Sequence, residues 1–195
     1  PSVWGLDVSR FGNDKTALCK RQGSIVTEIR SWSGLDLMQT VGRVVAEYES
    51  LLPSKRPREI LVDSIGLGSG VVDRLRELEL PVRGVNVAEA PSMGETYLNL
   101  RSELWFKTKG WFEDRACKLP KDDQLLAELT GIRYSFTSSG KMKAESKDEM
   151  RKRGLASPDL ADALCLTMAS DAATALSGAF SSWRGDIKRN LRGIA

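Results

Sequence analysis

The sequence contains no histidine, and this absence excludes more chemistry than any other feature of its composition. Histidine is the usual general base and the commonest metal ligand near neutral pH. Without it, Ser-His-Asp and Cys-His hydrolases, HExxH zinc enzymes and the usual zinc fingers are all excluded. Any hydrolysis by this chain must therefore use carboxylates, lysines or a metal ion held by oxygen ligands.

Cysteine is also scarce, and the three that occur, Cys19, Cys117 and Cys165, are scattered and form no CxxC pair. An odd number without metal-ligand spacing favours reduced thiols that pack in the core of an intracellular protein. The sequence also lacks an apolar run long enough to span a membrane, a signal peptide, and the GxxxxGK[ST] phosphate loop. These absences argue against a membrane partner and against a P-loop motor.

The chain has 195 residues, of which 41% are hydrophobic and 28% charged, as in an ordinary globular protein. We expect one folded domain over residues 1–170. Residues 171–195 are small and polar, then basic, and this composition predicts a flexible C-terminal tail. Because the chain begins with Pro1 and not with Met, we interpret it as a domain excised from a longer protein.

Two short apolar runs each carry one aspartate at their end. Asp7 closes the run that begins at Val3, and Asp63 closes the run that begins at Glu59; turn residues follow both. Such runs predict buried strands covered on both faces. A buried ionised carboxylate is costly unless it is paired, hydrogen-bonded or bound to a metal. Both aspartates are therefore candidate site residues.

A third acidic pair, Asp159 and Asp162, lies on a helix predicted over residues 157–169. Ser157 is the expected N-cap and Pro158 the expected first-turn residue. Acidic residues in a first turn complement the helix dipole, which explains Asp159 without a function. Asp162 lies deeper among apolar neighbours and has no such explanation. We favour Asp162 as the essential ligand with Asp159 in support, and the reversed assignment stays open.

The order of the predicted elements indicates an α/β fold. Three strands over 2–9, 15–21 and 24–31 have short connections and predict an antiparallel meander. A helix over 35–52 then leads to a strand over 59–64, which should lie parallel to the first. The remaining predicted elements are a helix at 71–79, a strand at 82–87, helices at 97–109 and 122–129, a hairpin at 131–145 and a helical turn at 147–153. In this arrangement Asp7 and Asp63 occupy corresponding points of adjacent strands.

Three clustered carboxylates, from Asp7, Asp63 and Asp162, would repel one another unless cations lay between them. Hard oxygen ligands without histidine or thiolate select Mg²⁺ or Mn²⁺. Two such ions roughly 4 Å apart can clamp a scissile phosphate. The predicted cofactor is therefore Mg²⁺ or Mn²⁺, with two ions bound.

Basic residues flank the acidic centre along the sequence, although the net charge is only +3. Basic clusters beside an acidic site suit a polyanionic substrate. The residues we expect to contact such a substrate are Arg10, Lys15, Lys141, Lys143, Lys147 and Arg151.

The glycine-rich run from Gly66 to Gly70 has GxGxG spacing, which is a weak signal for nucleotide binding. Glycines here would either let the backbone pass close to the metal site or a substrate phosphate, or make a plain tight turn. The sequence leaves these two interpretations open.

Several segments together resemble the nuclease domain of bacteriophage large terminases. The run from Trp4 to Leu18 resembles the opening of that domain, Leu61–Gly68 its second acidic motif and Ser157–Leu164 its third. Lys147–Arg153 also fits the family pattern. The resemblance covers about residues 2–170 and includes the order of elements of an RNase H-like fold.

This resemblance implies an RNase H-like fold, with a mixed central sheet and helices on both faces. It also implies a metal-dependent endonuclease that cleaves concatemeric double-stranded DNA during genome packaging, in the cytoplasm of the host cell. By the same analogy Asp7, Asp63 and Asp162 are catalytic and bind the metals together with Asp159, and the hairpin around Ser138–Lys143 lies near DNA. The implied partners are double-stranded DNA, an N-terminal packaging ATPase that this sequence does not contain, the portal and the small terminase.

Three other interpretations compete with the terminase nuclease. The first is another RNase H-like nuclease, such as a RuvC-like resolvase or a transposase, with the same site and a different substrate. The second is an actin-like or sugar-kinase-like phosphotransferase, for which 195 residues are too few. The third is a DNA-binding module that has kept the fold without the catalytic metals.

Overall fold

The computed structural model describes residues 1–9 and 14–170 of the chain. The predictions for Arg10 and for the tail at 171–195 lie outside the described residues. Within the described parts the strands are β1 Ser2–Asp7, β2 Thr16–Gln22, β3 Ile25–Trp32, β4 Glu59–Asp63, β5 Val82–Val85, β6 Tyr134–Phe136 and β7 Met142–Ala144. The helices are α1 Leu37–Glu49, α2 Leu67–Glu77, α3 Leu100–Glu113, α4 Asp123–Gly131, α5 Lys147–Lys152 and α6 Asp159–Leu166, with short 3-10 turns at Pro53–Lys55 and Thr167–Ala169.

The centre of the fold is a five-stranded mixed sheet in the order β3-β2-β1-β4-β5. The first three strands pair antiparallel, and β4 and β5 add parallel to the β1 edge. Since α1 provides the crossover from β3 to β4, a parallel pairing of β1 with β4 is the expected outcome. The predicted α/β class, the meander and the parallel strands are therefore confirmed.

Helices cover both faces of the sheet, so β1 is buried on both sides. Trp4 and Leu6 pack in one core cluster with residues of α1 and α2. Val3 packs in the other cluster with residues of α3, α4 and α6. Because both of its faces are buried, β1 has a nearly continuous run of apolar residues and not an alternation of apolar and polar ones.

Helix α6 packs directly against the backbone of β1 at Gly5. A Cβ atom at Gly5 would lie 2.1 Å from the carbonyl oxygen of Ala163 and 3.0 Å from Cγ2 of Thr167. Only glycine permits this approach, because any side chain would overlap the helix backbone. The contact holds the helix that carries Asp159 and Asp162 directly against the strand that carries Asp7.

The start of α6 differs from the prediction. Pro158, not Ser157, occupies the N-cap position, and no side chain caps the helix. The Ser157 hydroxyl instead donates a hydrogen bond to Asp14 Oδ1 at 2.7 Å. The predicted N-cap is therefore wrong, because the Ser157 hydroxyl bonds to Asp14 and not to the helix backbone.

The other predicted elements are present with shifted ends. Helix α2 begins at Leu67, four residues earlier than expected, so Gly68 and Gly70 lie within the helix. The hairpin of β6 and β7 forms a separate two-stranded sheet. Within residues 1–9 and 14–170, none of the helices combines the length and apolarity needed to span a membrane.

Candidate active site

Asp7 and Asp63 lie side by side at the same edge of the sheet. Leu6 is opposite Val62 in the parallel pair of β1 and β4, so the next residue of each strand is an aspartate. Asp7 is buried and Asp63 is half-buried. The Asp63 carboxylate accepts a hydrogen bond from the backbone N–H of Ile65 at 3.1 Å. The predicted juxtaposition of the two strand ends is confirmed.

Helix α6 brings Asp159 and Asp162 to the same centre. Both side chains are buried, with 3% and 8% of the residue surface exposed. They stand three residues apart, and this spacing places them on one side of the helix. Four carboxylates from three elements therefore meet beside the end of β1.

The ammonium group of Lys147 lies among these carboxylates. Its Nζ donates hydrogen bonds to Asp7 Oδ2 at 2.8 Å and to Asp159 Oδ1 at 3.2 Å. It also lies 3.6 Å from Asp162 Oδ2. Burial alone would lower the pKa of Lys147, but the neighbouring carboxylates outweigh it and raise the pKa above its ordinary value. The sequence predicted Lys147 as a DNA contact; the structure places it inside the acidic cluster.

Asp162 is fixed by two side chains of α3. Arg101 Nη2 lies 3.0 Å from Oδ1 and 3.3 Å from Oδ2, and the indole Nε1 of Trp105 donates to Oδ1 at 2.8 Å. The other end of the guanidinium donates to the backbone carbonyl of Glu145. Sequence reasoning missed both Arg101 and Trp105 as site residues. The single signal was their spacing of four residues on one helix, which is too common to point to a site.

Asp159 is held differently from Asp162. Its Oδ2 accepts a hydrogen bond from the backbone N–H of Lys15 at 2.7 Å, and its Oδ1 contacts Lys147. Asp159 does not line the cavity described below, whereas Asp7, Asp63 and Asp162 do. This geometry favours Asp162 over Asp159 as the ligand that reaches a bound ion, and the roles of both remain predictions.

A cavity of about 450 Å³ opens onto the acidic centre. Its charged lining residues are Asp7, Asp63, Asp148, Asp162, Arg101 and Lys147, and Val8, Val87, Leu104 and Leu166 supply apolar walls. Burial raises the pKa of Asp7 and outweighs the opposite effect of Lys147. Burial likewise raises the pKa of Asp63. The protein therefore holds these carboxylates in a poorly solvated place, where a nearby cation stabilises their charge.

The donor set suits a hard divalent ion, although it is not pre-arranged as a complete metal site. Among the described residues, no group of three or more Asp, Glu or Cys side chains is placed to hold a metal ion together. The ammonium of Lys147 lies between the carboxylates of Asp7, Asp159 and Asp162. Counting Asp63 as well, four carboxylates face two cations, Lys147 and Arg101, which leaves a formal charge of −2. Oxygen ligands with a net negative charge fit Mg²⁺ or Mn²⁺ in chemical type.

Of the other predicted DNA contacts within the described residues, Lys143 and Arg151 form ion pairs and Lys15 and Lys141 do not. Lys143 Nζ lies 2.6 Å from Glu149, and Arg151 pairs with Asp14 and Asp148. Lys141 is half-buried and forms no salt bridge with any described residue. The Lys15 ammonium makes only a long contact of 3.4 Å with Gln124. Surface ion pairs contribute little stability, so these side chains can exchange their partners for phosphates.

The glycine-rich run lets the start of α2 pack closely against the backbone at the end of β4. A Cβ atom at Gly68 would lie 1.6 Å from the carbonyl oxygen of Asp63, and Gly66 has a positive φ of 64°. Glycine at these two positions therefore lets α2 begin directly against the strand end that carries Asp63. The close approach that Gly68 requires is to the backbone of Asp63, and an approach to a metal or a substrate phosphate stays a prediction.

Comparison with family models and with curated protein sequences finds no match. Comparison with solved structures finds several matches. The nuclease domain of the large terminase subunit gp2 of bacterial virus Sf6 is 23% identical, with a TM-score of 0.73, over 86% of this chain and 87% of that domain. The large terminase nuclease of thermophilic phage G20c with bound magnesium is 18% identical, with a TM-score of 0.67, over 87% and 80%.

This chain has the fold of a large-terminase nuclease domain. The nuclease domain of Thermus phage P74-26 is a third example, 15% identical with a TM-score of 0.63 over 85% of this chain and 77% of that one. Further structures of the Sf6 and G20c nuclease domains contain manganese and cobalt, respectively. The predicted RNase H-like architecture is confirmed by this likeness, which at these identities concerns the fold.

Proposed function

We propose that this chain is the nuclease domain of a phage large terminase and cleaves concatemeric double-stranded DNA during genome packaging. One observation carries the proposal: Asp7, Asp63 and Asp162 line one cavity at the carboxyl edge of the sheet. They do so in a fold shared with the terminase nuclease domains of Sf6 and G20c. Phosphodiester hydrolysis by carboxylate-bound metals needs no histidine, which agrees with the composition.

In this proposal Asp7, Asp63 and Asp162 hold two ions of Mg²⁺ or Mn²⁺, and Asp159 supports them. When bound, such ions activate water and neutralise the charge that develops on the scissile phosphate. Arg101 and Trp105 fix the orientation of Asp162 through the hydrogen bonds described above. Lys147 offsets part of the negative charge of the cluster and bridges Asp7 and Asp159. Ligands held by further hydrogen bonds bind metals more tightly than mobile ones.

We infer that DNA lies across the cavity mouth. Lys15, Lys141, Lys143 and Arg151, together with Arg10, would then contact its phosphates, and the β6–β7 hairpin would lie beside the duplex. Phosphate contacts carry affinity without reading bases, so binding should fall steeply with salt and show little sequence preference. An N-terminal packaging ATPase, the portal and the small terminase are the proposed partners, in the cytoplasm of the host cell.

The test is cleavage of supercoiled plasmid by the purified chain with Mg²⁺, Mn²⁺ or EDTA, alongside Asp7→Asn and Asp63→Asn variants. We expect nicked and linear products that depend on the metal and fall below detection in both variants. Asp73→Asn, which changes an exposed aspartate on α2 paired only with Arg76, is the matched control and should cleave normally. Thermal melts of all variants show whether the fold is intact. Near-normal cleavage by a folded Asp63→Asn protein would contradict the site assignment.

A second candidate, a DNA-binding module without catalysis, is favoured by the position of Lys147. Its ammonium lies where a cation would otherwise neutralise Asp7, Asp159 and Asp162. The same samples distinguish the two candidates through a gel-shift measurement with duplex DNA. Salt-sensitive binding with no cleavage under any metal would favour the module. Binding accompanied by metal-dependent cleavage would favour the nuclease.

A further inference from the structure

A second, larger groove lies beside α3 and shares the lining residue Trp105 with the acidic cavity. It has a volume of about 910 Å³ and lies between α3, α4 and strand β6. Its apolar lining includes Phe106, Phe112, Leu119, Leu126, Leu129 and Ile132. Cavities of this size and character are typical of binding sites and uncommon as packing defects.

The groove exposes large apolar side chains that the fold itself does not need to expose. Leu126 on α4 is 61% exposed, and Tyr134 at the start of β6 is 58% exposed. Their neighbours in the groove are only half-buried, among them Phe112 and Leu129. A contiguous apolar patch with a polar rim marks an interaction surface, whereas isolated exposed apolar residues do not.

The rim of this groove carries an excess of positive charge. Its charged residues are Lys109, Glu113, Arg115 and Arg133. Lys109 and Glu113 pair with each other across one turn of α3. Arg115 and Arg133 are exposed and form no salt bridge with any residue in 1–9 or 14–170. Arg133 also interacts with Glu145, but that carboxylate is already paired with Arg153, so the rim of the groove keeps an excess of positive charge.

We propose that this groove docks an amphipathic helical segment of a partner protein, with apolar side chains in the groove and acidic side chains against Arg115 and Arg133. An apolar helix face laid in a groove between helices is a recurrent mode of recognition. Complementary charges at the rim select the partner and set its orientation. The groove shares only Trp105 with the acidic cavity, and the proposal holds whether or not the chain is a nuclease.

The charge pattern selects this occupant over the C-terminal segment of the same chain. Residues 171–195 contain four basic residues, at 184, 188, 189 and 192, and two acidic ones, at 171 and 186, a difference of +2. A basic segment would meet Arg115 and Arg133 with like charge, which is unfavourable. An acidic helix would neutralise both.

Trp105 connects the groove to the acidic cavity. It lines both spaces, and its indole N–H is bonded to Asp162. A helix in the groove would therefore touch the ring of a residue that orients a proposed metal ligand. Its arrival should change the fluorescence of Trp105, and this signal should be missing in a Trp105→Phe variant.

The test is binding of a labelled, designed helix of about 18 residues, or five turns, with leucines along one face and glutamates on the other. The full chain is titrated into the peptide and the fluorescence anisotropy is measured. We expect saturable binding that Leu126→Glu abolishes. Leu52→Glu, at an apolar residue that is 71% exposed away from the groove, is the matched control and should bind normally.

The charge argument is tested with an Arg115→Glu, Arg133→Glu double variant and with a peptide that has lysines in place of glutamates. Reversal of both arginines should weaken binding of the acidic peptide by about tenfold, because each exposed pair contributes modestly. Arg43→Glu, in an exposed part of α1, should have no effect. The lysine peptide should bind wild-type protein at least about tenfold more weakly than the acidic one.

Several outcomes would overturn the proposal. Equal affinity for acidic and basic peptides would remove the charge argument, and unchanged binding to Leu126→Glu would place the peptide elsewhere. Tighter binding by a synthetic 171–195 peptide would assign the groove to the end of the chain itself. Displacement of the acidic peptide by a DNA duplex would assign it to nucleic acid, and absence of binding would leave the groove without this partner.

Discussion

A Gly5→Ala substitution is the sharpest test of how this fold builds its acidic centre. The added methyl would lie 2.1 Å from the carbonyl oxygen of Ala163, whereas carbon contacts are ordinarily near 3.5 Å. Helix α6 would therefore have to move away from β1 by more than about 1 Å. Overpacking in a core costs about 1–3 kcal/mol, and we expect the upper end because the clash involves backbone. For a chain of this size that corresponds to a decrease in Tm of roughly 6–12 °C.

The matched control is Gly42→Ala, in the interior of α1. A Cβ atom there meets no atom within 4 Å, and the residue is exposed. Alanine in a helix interior is more favourable than glycine by about 0.5–1 kcal/mol, so this variant should be slightly more stable than wild type. Urea denaturation of the three proteins measures both differences. Equal free energies of unfolding for Gly5→Ala and wild type would refute the close packing of β1 and α6.

The same substitution should also disturb the site. Movement of α6 would carry Asp159 and Asp162 away from Asp7, which β1 holds. We therefore expect Gly5→Ala protein to lose DNA cleavage at temperatures where circular dichroism shows that it is folded. Gly42→Ala protein should cleave as wild type does. Full cleavage by folded Gly5→Ala protein would mean that the position of α6 tolerates this displacement.

Two further predictions concern buried ionisable groups. Lys147→Ala leaves three carboxylates without their ammonium and should lower the free energy of unfolding by about 3 kcal/mol. Addition of Mn²⁺ should then raise the Tm of the variant more than that of wild type, whereas Lys152→Ala, at an exposed residue, should change neither quantity. An unchanged response to Mn²⁺ would contradict competition between Lys147 and a metal. Burial raises the pKa of Cys19 to about 12 and also raises the pKa of Cys165. Iodoacetamide at pH 8 should therefore label these two thiols only after denaturation, as detected by mass spectrometry, and half-buried Cys117 is the accessible control. Rapid labelling of Cys19 in folded protein would show that β2 opens easily.

Much of the fold could be read from local patterns. Apolar runs that end in aspartate identified β1 and β4, and the short connections among the first strands identified the meander. Once a helix connects two buried strands, parallel pairing follows, and the pairing places Asp7 next to Asp63. These features depend on residues close in sequence and on general rules of chain connection, so they do not need knowledge of distant contacts.

What the tertiary structure alone decided is the environment of those carboxylates. Lys147 is 140 residues from Asp7, and Arg101 is 61 residues from Asp162, so no periodicity or spacing connects them. Ser157 likewise does not cap α6, because its hydroxyl bonds to Asp14, which is distant in sequence and close in space. The groove beside α3 is likewise formed by elements that lie apart in sequence. Apolar burial follows the period of each strand and helix, whereas the partner of a buried charge is set by which surfaces meet after the chain has folded.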